Sequence, residues 1–399
     1  MSDYLTETVA GTGGRIKESA EDFRVEEIPL YLPCGEGDHL YLQVEKRGMT
    51  TFDLLQRLAR GLGVAERDIG YAGLKDARAT TIQTVSVPGV RPEQVMALEL
   101  PGVTILSARY HRNKLRTGHL AGNRFLVRIR QVRENALELA LDTLHILSLA
   151  GVPNRFGRQR YGSLGNSHRI GGAILRGDFA AAAAAVIGDP ERIEDENWRR
   201  AAAAFAAGDL EGALVALPDR MRDERNLLRA LRQGRSPRDA VLGLPRKLLR
   251  LYLSAFQSDL FDRLLLMRLN SLDTLWPGDL AYRHDNGACF LVEDPAAEQP
   301  RAERLEISPS APLFGHKVTM ARGQAGILEE SLLEKEGLNL EDFRLSGGLA
   351  MEGERRPLRI PLTAAEVRRE GDDLLVGFAL PRGAYATSVL REIMKDPPA

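Results

Sequence analysis

The stretch GYAGLKDARATTIQ, residues 70–83, places Asp76 directly after Lys75, three residues after Gly73 and two before Arg78. A Thr- and Val-rich run continues to Val87, where Pro88-Gly89 stops it, so the segment reads as a turn feeding a strand. An Asp in such a turn often only bonds its own backbone. The other reading is an ionised carboxylate, kept charged by nearby cations that favour its anionic form. Lys17, Lys75 and Arg78 are the candidate cations. Lys75 is a poor one if the strand has begun, because adjacent side chains of an extended segment point to opposite faces.

Outward from this turn, the first part of the chain alternates strands and helices. HLYLQVEK sets Leu40, Leu42 and Val44 against Tyr41, Gln43 and Glu45, the period of a half-buried strand. TTFDLLQRLARGLG follows, with Thr50 and Asp53 as a capping box, Leu54, Leu55, Leu58 and Leu62 on one face, and Gly61 or Gly63 as the stop. NRFLVRIR is a strand with Phe125, Val127 and Ile129 on one side, and a helix from about Glu134 to Ala150 closes at Gly151. Residues 179–216 are alanine-rich and read as short, close-packed helices, since alanine is the best helix former. RKLLRLYLSAFQSDLFDRLLLMRL continues in helix, and residues 272–335 read as strands and loops. DDLLVGFAL restores a strand with Leu374, Val376, Phe378 and Leu380 on one side, and GAYATSVLREIMK ends as a helix. The return of the strand–helix pattern suggests a helical segment inserted into one domain.

Bulk properties set limits. A chain of 399 residues is long for one core and suggests at least two domains. It is 44% apolar and 27% charged, typical of a soluble globular protein, and has no apolar run of membrane-spanning length. The first residues do not read as a signal peptide. Cys34 and Cys289 are the only cysteines, which excludes a disulfide framework or a cysteine-rich zinc site and fits a reducing cytoplasm. The net charge of −1 says little, but the cations are clustered. Arg220 to Arg250 holds ten Arg/Lys against three Asp/Glu. RYHRNKLRTGH (109–119) and NRFGRQRYGSLGNSHR (154–169) are also basic, a distribution suited to a large anionic partner. Solvated arginine faces give the same pattern.

Several chemistries lack their motif. No G-x-x-x-x-G-K-[ST], H-E-x-x-H, G-x-S-x-G or C-x-x-C occurs, and GTGGR (11–15) lacks the third Gly and preceding strand of a dinucleotide site. The seven histidines show no metal-ligand spacing. ATP use, metal-dependent hydrolysis and serine-esterase chemistry therefore rank low, and no cofactor or metal is expected.

GYAGLKDARATTIQ resembles the signature of the TruD family of tRNA pseudouridine synthases. Further blocks in the same order are similar to that family: GTGGRIKESAEDFRVEEIPLYLPCGEGDHLYLQVEKRG (11–48), GHLAGNRFLVRIR, GVPNRFGRQRYG and LPRGAYATSVLREI. Together they span nearly the whole chain. The resemblance implies an α+β fold: the pseudouridine synthase core, a mixed and mostly antiparallel sheet with flanking helices, carrying an inserted family-specific α/β domain. The expected division is residues 1–160 plus 345–399 for the catalytic domain and 161–344 for the insertion.

The resemblance also implies a reaction and a site. The uracil N1–C1′ bond is cut, the base turns, and it rejoins through C5, with no net energy input. Asp76 is implied as the catalytic carboxylate, and Lys17 as the cation that keeps it ionised. Asp76 could attack the sugar or base, or take the C2′ proton. Phe23, Asn123 and Tyr385 are implied as substrate contacts, Tyr385 standing where bacterial members often carry Phe. Ala77 occupies a place the family commonly gives to a basic residue, and Arg78 is expected to supply that charge. Arg155, Arg158 and Arg160 are the first candidates for RNA phosphates, with Arg109, Arg112, Lys114 and Arg116 second. The implied partner is tRNA, at position 13 of the D arm, and the protein is expected in the cytoplasm, as a monomer away from membranes. The competing readings are a catalytically idle binder or chaperone of structured RNA and a carboxylate-dependent hydrolase of small substrates.

Overall fold

The computed structural model describes residues 3–395. In chain order come β1 (Phe23–Pro29), β2 (His39–Arg47), α1 (Thr51–Leu62), β3 (Gly70–Tyr71), β4 (Thr80–Pro88), α2 (Pro92–Met96), β5 (Val103–His111), β6 (Leu120–Ile129), α3 (Ala136–Ala150) and β7 (Val152–Pro153). Helices α4 (Ser167–Leu175), α5 (Phe179–Ile187), α6 (Glu196–Ala206), α7 (Leu210–Ala216), α8 (Arg222–Arg232), α9 (Pro237–Leu242) and α10 (Arg246–Met267) follow. Then come β8 (Leu280–Arg283), β9 (Cys289–Leu291), α11 (Pro295–Glu303), β10 (Ile307–Leu313), α12 (Gly323–Lys335), β11 (Glu354–Pro357), β12 (Arg359–Ile360), β13 (Thr363–Glu370), β14 (Asp373–Pro381) and α13 (Ala386–Met394).

The chain divides into two units. One runs up to Val152 and resumes at Ile360; the other is Pro153–Arg359. The first crossing comes before residue 160 and the second after residue 345. The basic segment 154–161 is already tied to α10, because Asp262 accepts the Phe156 N–H at 3.0 Å and the Tyr161 hydroxyl at 2.8 Å. On the way back, β11 belongs to the second unit's own sheet.

In the first unit an eight-stranded sheet runs β13-β14-β6-β1-β4-β2-β5, with β3 also paired to β4. β1 and β4 are parallel, through Arg24↔Thr80, Val25↔Thr81 and Glu26↔Ile82. The other ladders are antiparallel. The fold is thus a mixed, mostly antiparallel α+β core.

One face of this sheet carries two separate apolar clusters. Phe23, Val25, Phe125, Val127, Val376 and Phe378 pack against Leu144 and Leu147 of α3 and Val389 and Leu390 of α13. Leu40, Leu42, Val44 and Val85 pack against Leu54, Leu55 and Leu58 of α1. Burying each such Leu contributes about 1.5–3 kcal/mol. Helix α1 begins where its sequence indicates: Thr50 and Asp53 cap each other's backbone N–H groups, and Gly63, at φ 68°, closes the last turn.

In the second unit α4 lies on α10 so closely that a Cβ on Gly171 would stand 2.1 Å from the Tyr252 carbonyl oxygen. A four-stranded sheet, β11-β10-β8-β9, completes it. Residues 272–335 are not only strands and loops, since α11 and α12 lie within them. Pro295 sits in the first turn of α11, where a missing N–H costs nothing, and Asp294 caps it. Pro295 therefore marks a helix start rather than a loop, while Pro300 lies inside the helix.

Candidate active site

Lys17 and Asp76 meet because the strands they precede are parallel neighbours. The segments entering β1 and β4 arrive from the same end of the sheet, so residues far apart in sequence converge there. Lys17 Nζ lies 2.5 Å from Asp76 Oδ2, with the two side chains 20% and 31% exposed. Lys17 holds φ at 61°, a left-handed conformation that a lysine rarely adopts. The following turn is braced: Arg130 grips Asp22 through Nε and Nη2 at 2.9 and 2.7 Å, and Asp22 in turn accepts the Ser19 N–H.

The turn carrying Asp76 is stapled to the sheet and to the start of α1. Thr51 Oγ1 accepts the Lys75 N–H at 2.9 Å and faces Gln83 Oε1 at 3.2 Å. Lys46 Nζ donates to the carbonyls of Met49, at 2.6 Å, and Asp76, at 3.2 Å. Lys75 turns away from Asp76, and its ammonium lies 2.7 Å from Glu27 Oε1 in a buried pair. Glu27 stands where β1 has parted from β4, and its other oxygen takes the Thr84 N–H at 2.8 Å. Arg78 contacts Asp76 through its backbone, whose N–H reaches Oδ1 at 2.9 Å, while its side chain is exposed. The charge expected from Arg78 comes instead from Lys17 and from Lys46.

These contacts fix the protonation state. Burial pushes the Asp76 carboxyl up, but the Lys17 bond, the Arg78 N–H and the charges of Lys17 and Lys46 outweigh it and hold the group below the usual carboxylate range. Burial pulls the Lys46 ammonium down to about 8, only partly countered by the Asp76 charge.

Phe23 lies in the core at 5% exposure, edge-on to Phe125 at 6.2 Å, with the Lys17 ammonium 4.5 Å above its ring. Its ring therefore packs under the Lys17 ammonium. Tyr385, 36% exposed, stands at the N-terminus of α13. Asn123 lies on β6 opposite Glu27. Between the two apolar clusters the same sheet face turns polar, with Glu27, Lys46, Thr81, Gln83 and Asn123. Among the described residues, buried Thr81 Oγ1, Gln83 Nε2 and Asn123 Oδ1 have no hydrogen-bond partner. Such atoms cost about 1–3 kcal/mol each unless something satisfies them.

The arginine candidates of the second unit separate. Arg158 is exposed, and its side chain makes no hydrogen bond or ion pair among the described residues. Arg160 donates to Ser258 Oγ at 3.0 Å and lies over the Phe156 ring. Arg155 is half-buried, and its charge acts on Asp262. In the run 220–250, Arg220 pairs with Asp195, Arg232 with Glu211, and Arg225 caps the Leu217 carbonyl. Among the described residues no cluster of His, Cys, Asp and Glu resembles a metal site, and no helix is long and apolar enough to cross a membrane.

Lys46, Thr51 and Glu27 were not singled out as site residues by the sequence, and Lys75 was weighed only as a poor partner for Asp76. Lys46 could have been: it continues the inward series Leu40, Leu42, Val44, and a lysine on a buried face calls for an explanation.

The α+β unit thus has a mixed sheet with a central parallel pair and a lysine-held aspartate where that pair begins, and the family comparison places such a chain among the pseudouridine synthases. Residues 1–393 match the model of the family described as tRNA pseudouridine synthase D (TruD), and the chain belongs to that family of isomerases. It is 62% identical over 395 residues to tRNA pseudouridine synthase D of Syntrophotalea carbinolica, covering 99% of each chain. It is 54% identical over 397 residues to the Geotalea daltonii protein of the same name, covering 99% of this chain and 100% of that one. A crystal structure of tRNA pseudouridine synthase D from Methanosarcina mazei superposes with a TM-score of 0.88 at 28% identity, covering 99% of this chain and 96% of that one.

Proposed function

We propose that this protein converts uridine to pseudouridine in tRNA, at position 13 of the D arm, with Asp76 as the catalytic carboxylate. The observation that carries the reading is the Lys17–Asp76 pair at 2.5 Å, which keeps a partly exposed carboxylate ionised. In the reaction the N1–C1′ bond breaks, a C5–C1′ bond forms, C5 gives up its proton and N1 gains one. An ionised Asp76 serves either route: attack on the sugar or base, or removal of the C2′ proton.

Asn123, Gln83 and Thr81 supply polar atoms for the edges of a uracil. Tyr385 is the aromatic exposed enough to stack on the extruded base, which recovers roughly 1–3 kcal/mol. The unit carrying Asp76 is the catalytic domain, and residues 153–359 form the inserted one, with Arg158 directed to phosphate. The protein acts in the cytoplasm, as a monomer.

The test is incubation with unmodified tRNA followed by site-resolved pseudouridine mapping. Wild-type protein yields pseudouridine in the D arm, and Asp76→Asn binds tRNA but yields none. Tight binding without product in the wild type would make the protein an RNA binder, and product from Asp76→Asn would refute the role of Asp76.

A further inference from the structure

The sheet face turned away from α1, α3 and α13 carries a cavity of about 330 Å³, lined among others by Tyr31, Leu32, Tyr41, Arg109 and His119 and, where β1 parts from β4, by Glu27 of the opposite face. Its aromatic wall is organised. Tyr31 stacks on His111 with ring centres 5.2 Å apart, and its hydroxyl lies 2.7 Å from His119 Nδ1. Tyr41 donates to the Asn113 carbonyl at 3.0 Å. Leu32, 76% exposed, stands on the rim.

The charges around this cavity are unevenly used. Arg112 is neutralised by Glu36, and Lys114 donates to the Arg67 carbonyl. Arg109 and Arg116 are exposed, and their side chains make no hydrogen bond or ion pair among the described residues. An aromatic wall with the uncommitted Arg109 guanidinium in its lining is the chemistry that binds a single unpaired nucleotide, base on the rings and phosphate on the cation. The volume is near the lower end of ligand sites, ~300–1,000 Å³, so a duplex does not enter.

The cavity also touches the machinery of the Asp76 turn. Ala72, on the step leading to that turn, lines it, and Glu27 at its wall holds Lys75, the neighbour of Asp76.

We propose that this cavity is a second nucleotide subsite, receiving an unpaired nucleotide of the RNA whose target uridine is at Asp76. The base lies against Tyr31 and Leu32, and the phosphate meets Arg109. The inference rests on the proposed action on tRNA.

The experiment measures dissociation constants for unmodified tRNA transcript across a KCl series, with ultraviolet cross-linking of the wild-type complex. Arg109→Ala and Tyr31→Leu each weaken binding at least about fivefold, Arg109→Ala lowers the salt slope by about one, and a tRNA cross-link maps to the Tyr31 peptide. Tyr31→Phe, which keeps the ring and drops the His119 bond, binds within about twofold of wild type if stacking is the source. Affinities and salt slopes unchanged in both Arg109→Ala and Tyr31→Leu, without the cross-link, overturn the subsite while wild-type turnover leaves the catalytic reading intact. Absence of pseudouridine from the wild type, with those binding losses present, overturns the catalytic reading and leaves the subsite.

Discussion

Lys17 and Asp76 form their 2.5 Å contact across 59 positions of sequence, and Lys17 does so from a left-handed backbone conformation. The two features separate charge from conformation in a test. Asn tolerates the left-handed region, so Lys17→Asn keeps the turn and removes the ammonium. A β-branched residue adds strain of about 1–2 kcal/mol there. We expect Lys17→Asn to lose pseudouridine formation by roughly a hundredfold with only the loss of stability that the Asp76 pairing supplies, and Lys17→Val to lose activity and additional stability through backbone strain. Turnover assays and thermal denaturation of the two variants check this. Activity in Lys17→Asn near the wild-type level would remove Lys17 from the site.

The depressed carboxyl of Asp76 makes a second prediction, whose sign follows from its direction. A group with a lower value folded than unfolded binds fewer protons in the native state, so its stabilisation is present above the ordinary carboxylate value near 3.9 and is lost as pH falls through the folded one. The stability difference between wild type and Asp76→Asn therefore narrows on acidification below about pH 4. The catalytic pH profile shows no acid limb from Asp76 between pH 5 and 7. Removing Lys17 moves that limb upward. Denaturant titrations and single-turnover rates from pH 3 to 7 test both, and an acid limb near pH 6 in the wild type would contradict the ion pair.

Lys46 is fully buried and titrates near 8, but its amine can still donate to the Met49 and Asp76 carbonyls after losing its proton. We expect kcat to change less than about threefold as pH passes 8, because the bonds and not the charge hold the turn. Lys46→Met removes both donors and should lower kcat by roughly tenfold or more, with little change in KM. The pH slope of stability has the same sign as that of Asp76, because between about 8 and the ordinary lysine value the unfolded chain again binds more protons: the cost of burying Lys46 is full below 8 and is relieved as pH rises. A kcat that collapses at pH 8 would mean that the charge itself is needed.

How much of this was legible follows from the reach of each signal. Strand period and helix caps are local, and β2, α1, β6, α3, β14 and α13 lie where alternation and Thr50–Asp53 or Gly151 place them. The basic turn around Asp76 was equally local. The Lys17–Asp76 pairing depends on β1 and β4 being parallel neighbours, which no periodicity encodes. Lys46 was visible as a lysine on the inward side of β2, but its acceptors lie on α1's entry and on the Asp76 turn. Helices α11 and α12 were masked by Pro295 and Gly323, which in fact open them, and by Pro300, which the interior of α11 accommodates. Phe23 shows the same limit: a motif position gives residue type, and only packing shows that its ring is covered by Lys17.

Arg158 and Arg160 stand two positions apart in one basic motif and have different environments. The 3-10 turn Arg158–Tyr161 sends Arg160 to Ser258 and the Phe156 ring and leaves Arg158 exposed. Arg158→Ala should weaken tRNA binding at low salt and reduce the salt slope by about one, with no change in melting temperature. Arg160→Ala should lower the melting temperature, since it removes a buried-side hydrogen bond worth about 0.5–1.5 kcal/mol and a ring contact worth about 0.5–1 kcal/mol. Filter binding at several KCl concentrations, with thermal denaturation of the same preparations, separates the two. If both variants change the salt slope equally and neither alters melting, Arg160 leaves its Ser258 contact for phosphate, and the path of the RNA runs over both arginines.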